Sequence, residues 1–297
     1  GTRGPPLGSS KSHLRAGLGK QSHIGMATHT RAILAKHPGP PLGIRGPLLG
    51  VVEIPPVDRT WWSWSGVHGG LAAAMLVRHA RRHAGDLGVR SVHGSLLRPI
   101  ADGGLHLATE VMRRSAGSVL ARSVLREGGA ASVLATTFLA GRSAPVHQPS
   151  PPPAVPPVED CPDAGFDPGP VPFIQHLEVR MAGDVRPFDG GTDPVLRAWI
   201  RLREPQFDAA ETAVVLLDSM PPALYALTTA PVPIPTAEFS VHLTDGLDGI
   251  GGGDGWSLIE VRTEQASDTW SVDSSSLWDS TGTLLAVGRQ TRRILGA

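Results

Sequence analysis

Glu211 to Leu224 reads ETAVVLLDSMPPAL. Five apolar residues, Ala213 to Leu217, run up to Asp218, and Met220, Pro221 and Pro222 close the segment. The stretch reads as a helix that is apolar nearly all round. Such a helix has no face to offer water, so it is expected to be buried. A carboxylate buried with it costs several kcal/mol unless it is paired or hydrogen-bonded. Asp218 therefore either has partners inside the fold or caps the helix end at Pro221–Pro222 and reaches solvent.

The segments around this helix are short, β-branched and separated by turn residues. Thr236–Thr244, Trp256–Gln265, Thr269–Trp278 and Thr283–Arg293 follow it as four expected strands, with DSTG at Asp279–Gly282 as a hairpin turn. Phe173–Ala182 and Val195–Leu202 precede it as two more, and the helix itself is expected over Asp208–Leu224. The first half repeats the plan. Leu48–Ile54 is a strand stopped by Pro55–Pro56, Gly66–His83 is a helix, and Val89–Ile100, Leu105–Arg114, Ser118–Glu127 and Ala131–Ala140 are four strands joined by short turns. Short connections imply antiparallel neighbours. A helix inside a curled antiparallel sheet buries both efficiently.

The expected organisation is an N-terminal extension over 1–45, poorly ordered in part, a first domain over 46–146, a Pro-rich linker over 147–172, and a second domain over 173–297. Residues 1–25 are rich in Gly, Ser and basic residues, lack the apolar core of a signal peptide, and precede Met26, a natural beginning.

With 27 basic and 27 acidic residues, net charge is zero, which argues against nucleic acid or an anionic membrane as partner. The run of arginines from Arg78 to Arg114 reads as solvated helix and strand edges, or as a site for a small anion. One cysteine, Cys161, excludes an internal disulfide and fits a reducing compartment, the cytoplasm. No apolar run reaches the ~18 residues of a membrane span.

The two helices differ in their polar residues. The first carries Gly69 and Gly70 at its start, where free N–H groups can bind an oxyanion or carbonyl. The second carries Asp218. Thr236 opens the next strand and Gln290 sits in the last one, in LLAVGRQTRR. Singly, each reads as an ordinary strand residue. Together with Asp218 they form a carboxylate–hydroxyl–amide cluster able to hold a water, with Asp218 as general base. Trp61, Trp62 and Trp64 either line an apolar cleft or pack on the first helix. His79 and His83 share a helix face but lack a third metal ligand, so no metal site or cofactor is expected. GGGDG at 251–255 has no helix after it and reads as a turn, and no GxSxG elbow occurs.

Several stretches resemble the acyl-CoA thioesterase II (TesB-like) family. They are GVHGGLAAAML from Gly66, VHGSLLRP over Val92–Pro99, AGSVLAR over Ala116–Arg122, LLDSMPPAL, PTAEFSVHL and LLAVGRQTRRIL. The resemblance spans roughly 46–295. It implies an α+β double hotdog, two antiparallel sheets each wrapped around a long central helix. It also implies hydrolysis of acyl-CoA or another acyl thioester by a water activated at Asp218, Thr236 and Gln290. His68, Gly69 and Gly70 fall at the substrate side, and homo-oligomers are the expected association. The alternatives are a non-catalytic acyl-binding or biosynthetic accessory protein, and a hotdog hydratase or dehydratase, which needs a His–Asp pair on a hydratase loop.

Overall fold

Among the described residues, eleven strands pair into a single antiparallel sheet, and two helices lie against one face of it. The computed structural model describes Gly1 and residues 49–143, 146, 147, 149, 151–250 and 254–295. Apart from Gly1, the expected 1–45 extension lies outside the described residues, as do Gly251–Gly253 of the glycine run.

In chain order the elements begin with β1 (Leu49–Ile54), the short ladder β2 (Trp62–Ser63) and β3 (Gly66–Val67), and α1 (Gly69–Arg81). Next come β4 (Gly88–Leu96), β5 (Leu105–Arg114), β6 (Ser118–Glu127) and β7 (Ala130–Ala140). After the Pro-rich stretch follow β8 (Leu177–Met181), β9 (Val195–Leu202), α2 (Ala209–Leu217), β10 (Thr236–Leu243), β11 (Ser257–Ala266), β12 (Trp270–Asp279) and β13 (Leu284–Arg293). The spatial order is β1-β5-β6-β7-β4-β10-β13-β12-β11-β9-β8.

The expectation of two sheets, each around a long helix, gives way to one sheet. β4 and β10 would each be an unpaired edge, and they pair with each other, Val92 opposite Val241 and Gly94 opposite Phe239. Gly94 has no side chain, which lets the Phe239 ring lie across it. The helices span 13 and 9 residues, shorter than expected.

α1 starts at Gly69, not Gly66, because Gly66 and Val67 pair with β2. α2 stops at Leu217 and a separate 3-10 turn covers Ala223–Ala226. Pro221 and Pro222 have no amide to continue the ladder. Instead the Ser219 hydroxyl donates to the Val215 carbonyl at 2.7 Å.

Every residue of α2 except Ala209 and Thr212 is buried, as its apolar circumference demands. α1 packs on β4–β7, α2 on β9, β10, β12 and β13, and the helices pack on each other. Their buried side chains and the inward strand residues form one continuous core.

Candidate active site

Asp218 is the last residue of the α2 turn, with φ −99° and ψ 2°. That sparsely populated backbone region turns its side chain out of the helix. The carboxylate meets the start of α1, which belongs to the other half of the chain. Gly70 N–H donates to Oδ2 at 2.5 Å. The positive end of α1 and its free amides favour an anion there. The approach needs glycine. A Cβ on Gly70 would stand 2.9 Å from Asp218 Cβ and 3.2 Å from the Val215 backbone. A Cβ on Gly69 would stand 2.9 Å from Asp218 Oδ2.

His68 caps α1. Its Nδ1 accepts from Leu71 N–H at 3.3 Å, so the ring proton sits on Nε2. Nε2 lies 3.1 Å from the Asp218 carbonyl oxygen and 3.3 Å from Oδ2. The ring stacks on Phe173 at 4.0 Å and is buried. Both nitrogens are thus committed, one to its own helix and one to Asp218. His68 holds the Asp218 turn through its carbonyl, with the ring close beside the carboxylate, rather than facing a cleft.

On the other side, Gln290 Nε2 donates to Asp218 Oδ1 at 2.8 Å. The Thr236 hydroxyl donates to Gln290 Oε1 at 3.1 Å. The three residues singled out in the sequence therefore lie in a row, with Asp218 and Gln290 in direct contact and Thr236 one step behind. β13 pairs with β10 on one side and β12 on the other, which brings Gln290 opposite Phe239 and Asp273. The alternation of β13 points Gly288, Gln290 and Arg292 to the helix side.

Sequence reading missed Arg292 and Asp273. Arg292 Nη1 donates to Thr236 Oγ1 at 3.0 Å. Arg292 Nε and Asp273 Oδ2 are 2.8 Å apart, with side chains 7% and 2% exposed. Thr263 donates to Asp273 Oδ1 at 2.7 Å. The signal was present in the strand period: Arg292 shares the Gln290 face, and Asp273 shares the buried face of β12 with Ser271, Ser275 and Leu277.

Gly70 N–H being taken, Gly69 N–H remains as the amide of α1 with no acceptor among the described residues. A cavity of about 10 Å³ lies between Gly69, Gly70, Asp218, Phe239, Gly288 and Gln290. That is space for about one water centre. A separate cleft of about 230 Å³ lies where Trp61, Leu71, Met75 and Phe207 meet, beside Arg78. Trp61 also stacks on His176 at 4.0 Å, so it both packs and lines a cleft, whereas Trp64 is exposed. His79 is bonded to Thr109 Oγ1 at 2.7 Å, and its ring meets His83 edge-on. Among the described residues no three His, Cys, Asp or Glu side chains gather as metal ligands. No helix of the described residues is long and apolar enough to cross a membrane.

Two family models match the chain: the acyl-CoA thioesterase N-terminal domain over residues 58–141 and the C-terminal domain over 158–294. The chain belongs to the TesB-like acyl-CoA thioesterase family. Among solved structures, it is similar to a conserved hot dog protein of unknown function from Alicyclobacillus acidocaldarius, with TM-score 0.75 and 23% identity over 83% of this chain and 93% of that one. It is also similar to the acyl-CoA thioesterase II TesB2 of Mycobacterium marinum, with TM-score 0.65 and 17% identity over 83% and 93%. The tesB protein of Mycobacterium avium subs paratuberculosis gives 0.66 and 16% over the same shares. At these identities the likeness establishes the hotdog fold. A search of the curated proteins finds no match. The TesB-like membership places this chain among hydrolases of thioesters.

Proposed function

We propose that this protein hydrolyses acyl-CoA, or a related acyl thioester, to a free acid and a thiol, at a site built between halves 46–146 and 173–297. What supports the reading is the way Asp218 is held. A carboxylate has about four lone-pair positions. Gly70 N–H and Gln290 Nε2–H take two, while His68 Nε2–H is spent on the Asp218 carbonyl beside them. A further position is left for a water in the adjoining cavity. Asp218 takes a proton from that water, and the hydroxide forms a bond to the thioester carbonyl carbon. The carbonyl π pair moves to oxygen, where Gly69 N–H at the helix start can meet the developing charge. The tetrahedral intermediate then re-forms C=O and breaks C–S. The departing sulfur takes the proton back from Asp218.

A hydratase needs a His–Asp pair, and the fold does bring His68 to Asp218. A hydratase also needs a ring nitrogen turned to the substrate, and His68 has none free. The test is thiol release from acyl-CoA substrates of varied chain length. Asp218→Asn, folded as the wild type, is expected to lose about 10²–10⁴-fold in kcat. Release at the wild-type rate by that variant, or none by the wild type, ends the proposal.

A further inference from the structure

Behind the Asp218 site runs a line of polar groups, three buried and one, Thr236, half-buried, that the hydrolysis above does not use. Its members come from four strands: Thr263 on β11, Asp273 on β12, Arg292 on β13 and Thr236 on β10. An arginine and an aspartate almost wholly out of water are costly to bury, and apolar residues in their place would often serve stability as well. The pair is imperfect as well. Nε and Oδ2 are close, but the N–H is not directed at the oxygen, and both atoms lack a hydrogen bond. Buried groups kept in this state call for a reason other than stability.

The direction of each bond supplies one. A guanidinium can only donate. The bond between Arg292 and Thr236 therefore ends on a Thr236 lone pair. The hydroxyl has one proton, and it goes to Gln290 Oε1. With its oxygen held there, the Gln290 amide must present Nε2 to Asp218 Oδ1. A Gln290 turned over by 180° would set its oxygen against the carboxylate. The row runs donor to acceptor throughout: Arg292 to Thr236 to Gln290 to Asp218. Aligned chains of this kind polarise one another. Asp273, itself held by Thr263, keeps the guanidinium in place. The charge of Arg292 is also felt by Tyr225, whose hydroxyl is pushed up by burial and pulled back in part by Arg292.

We infer that Arg292 is a positioning residue for the Asp218 site: by donating to Thr236 it sets the orientation of the Gln290 amide, and Asp273 holds it in register. Its kinetic consequence rests on the thioesterase reading; its structural consequence does not. The kinetic test is a double-mutant cycle on thiol release, with Arg292→Met, Thr236→Val and both together. Arg292→Met is expected to lower kcat by about 10-fold or more while KM moves by less than about 3-fold. In the Thr236→Val background the same substitution is expected to cost almost nothing further, because the hydroxyl it acts through is gone. Arg292→Lys, which keeps a donor and the charge, is expected to recover part of the loss. Equal losses with and without the Thr236 hydroxyl overturn the inference. If Arg292→Met leaves Asp273 unpaired and the chain does not fold, Asp273→Leu with Arg292→Met removes both charges and carries the same expectation.

A wild type that releases no thiol ends the thioesterase reading but leaves the relay open to a second measurement. The Gln290 side-chain amide is followed by ¹H–¹⁵N NMR, its signal assigned by its loss in Gln290→Glu. One slowly exchanging pair of protons is expected in the wild type, and faster exchange or a second set in Arg292→Met. A Gln290 amide signal unchanged by Arg292→Met overturns the inference.

Discussion

Gly70 is the residue at which the two halves of the site come closest. Its N–H meets the Asp218 carboxylate, and its missing side chain leaves room for Asp218 Cβ and the Val215 backbone. Gly70→Ala puts a methyl group where neither backbone can give way. We expect it to cost about 1–3 kcal/mol of stability, read as a lower urea midpoint. Gly88→Ala is the control, since a Cβ there would meet only the Ala140 carbonyl at 3.8 Å. A Gly70→Ala midpoint equal to that of Gly88→Ala would mean that the α1–α2 approach relaxes freely. At this scale the sequence was informative about identity and silent about direction. Asp218, Thr236 and Gln290 stand out as polar residues in apolar elements. That Gly70 donates to a side chain rather than to a substrate, and that His68 has both nitrogens engaged, depends on atoms 148 and 150 positions away in the chain.

At the scale of elements, α1 and α2 are tied at both ends. The start of α1 holds Asp218 from the end of α2. The end of α1 holds the start of α2: Arg78 Nε donates to both oxygens of Glu211, at 3.1 and 3.0 Å, and Nη2 adds a bond at 2.5 Å. Arg81 pairs with Asp208, the N-cap of α2. Glu211 is 3% exposed while Arg78 is half in water. Arg78→Met strands a buried carboxylate. We expect a loss of about 2 kcal/mol, below the 3–5 of a fully buried pair because water already screens the arginine. Glu211→Gln combined with Arg78→Met should recover much of it; a cycle with no coupling would show that the clamp adds nothing. Helix existence was legible from the apolar runs, and so was Gly66–His83 as the place of the first. The lengths were not. Gly66 and Val67 are claimed by a neighbouring strand, and the ladder of α2 ends four residues before Pro221, a cut that apolar periodicity does not register.

For the molecule as a whole, the seam between β4 and β10 joins the halves into one sheet. His93 and His242 face each other across it, ring centroids 5.1 Å apart. His93 is exposed to water on β4; partial desolvation and His242 lower its affinity for a proton, Glu238 opposes them, and solvent screens the effect on stability. Burial likewise lowers His79, with Arg82 and His83 adding to it. It lowers His176 against the opposing pull of Asp58, Thr60 and Glu204. In the unfolded chain His79 and His176 would titrate near 6.5. Below that value the unfolded chain binds more protons than the folded one. Stability is therefore full above about pH 6.5 and declines as pH falls through the lower folded values. Urea midpoints should drop between about pH 7.5 and about pH 5.5, less steeply in His79→Gln. A midpoint that rises on acidification contradicts the assignment.

By itself the sequence determined the kinds of element and their order, because apolar period and turn residues are local properties of the chain. It also singled out Asp218 as a residue that had to be accounted for, since a carboxylate among Val, Leu and Met has few ways to be tolerated. Tertiary structure alone decided how those residues are satisfied. The carboxylate on α2 is bound by the start of α1 and by β13, and a buried Arg292–Asp273 pair stands behind it. Hydrogen bonds depend on distances of a few tenths of an ångström between groups far apart in sequence, and only the folded sheet sets those distances.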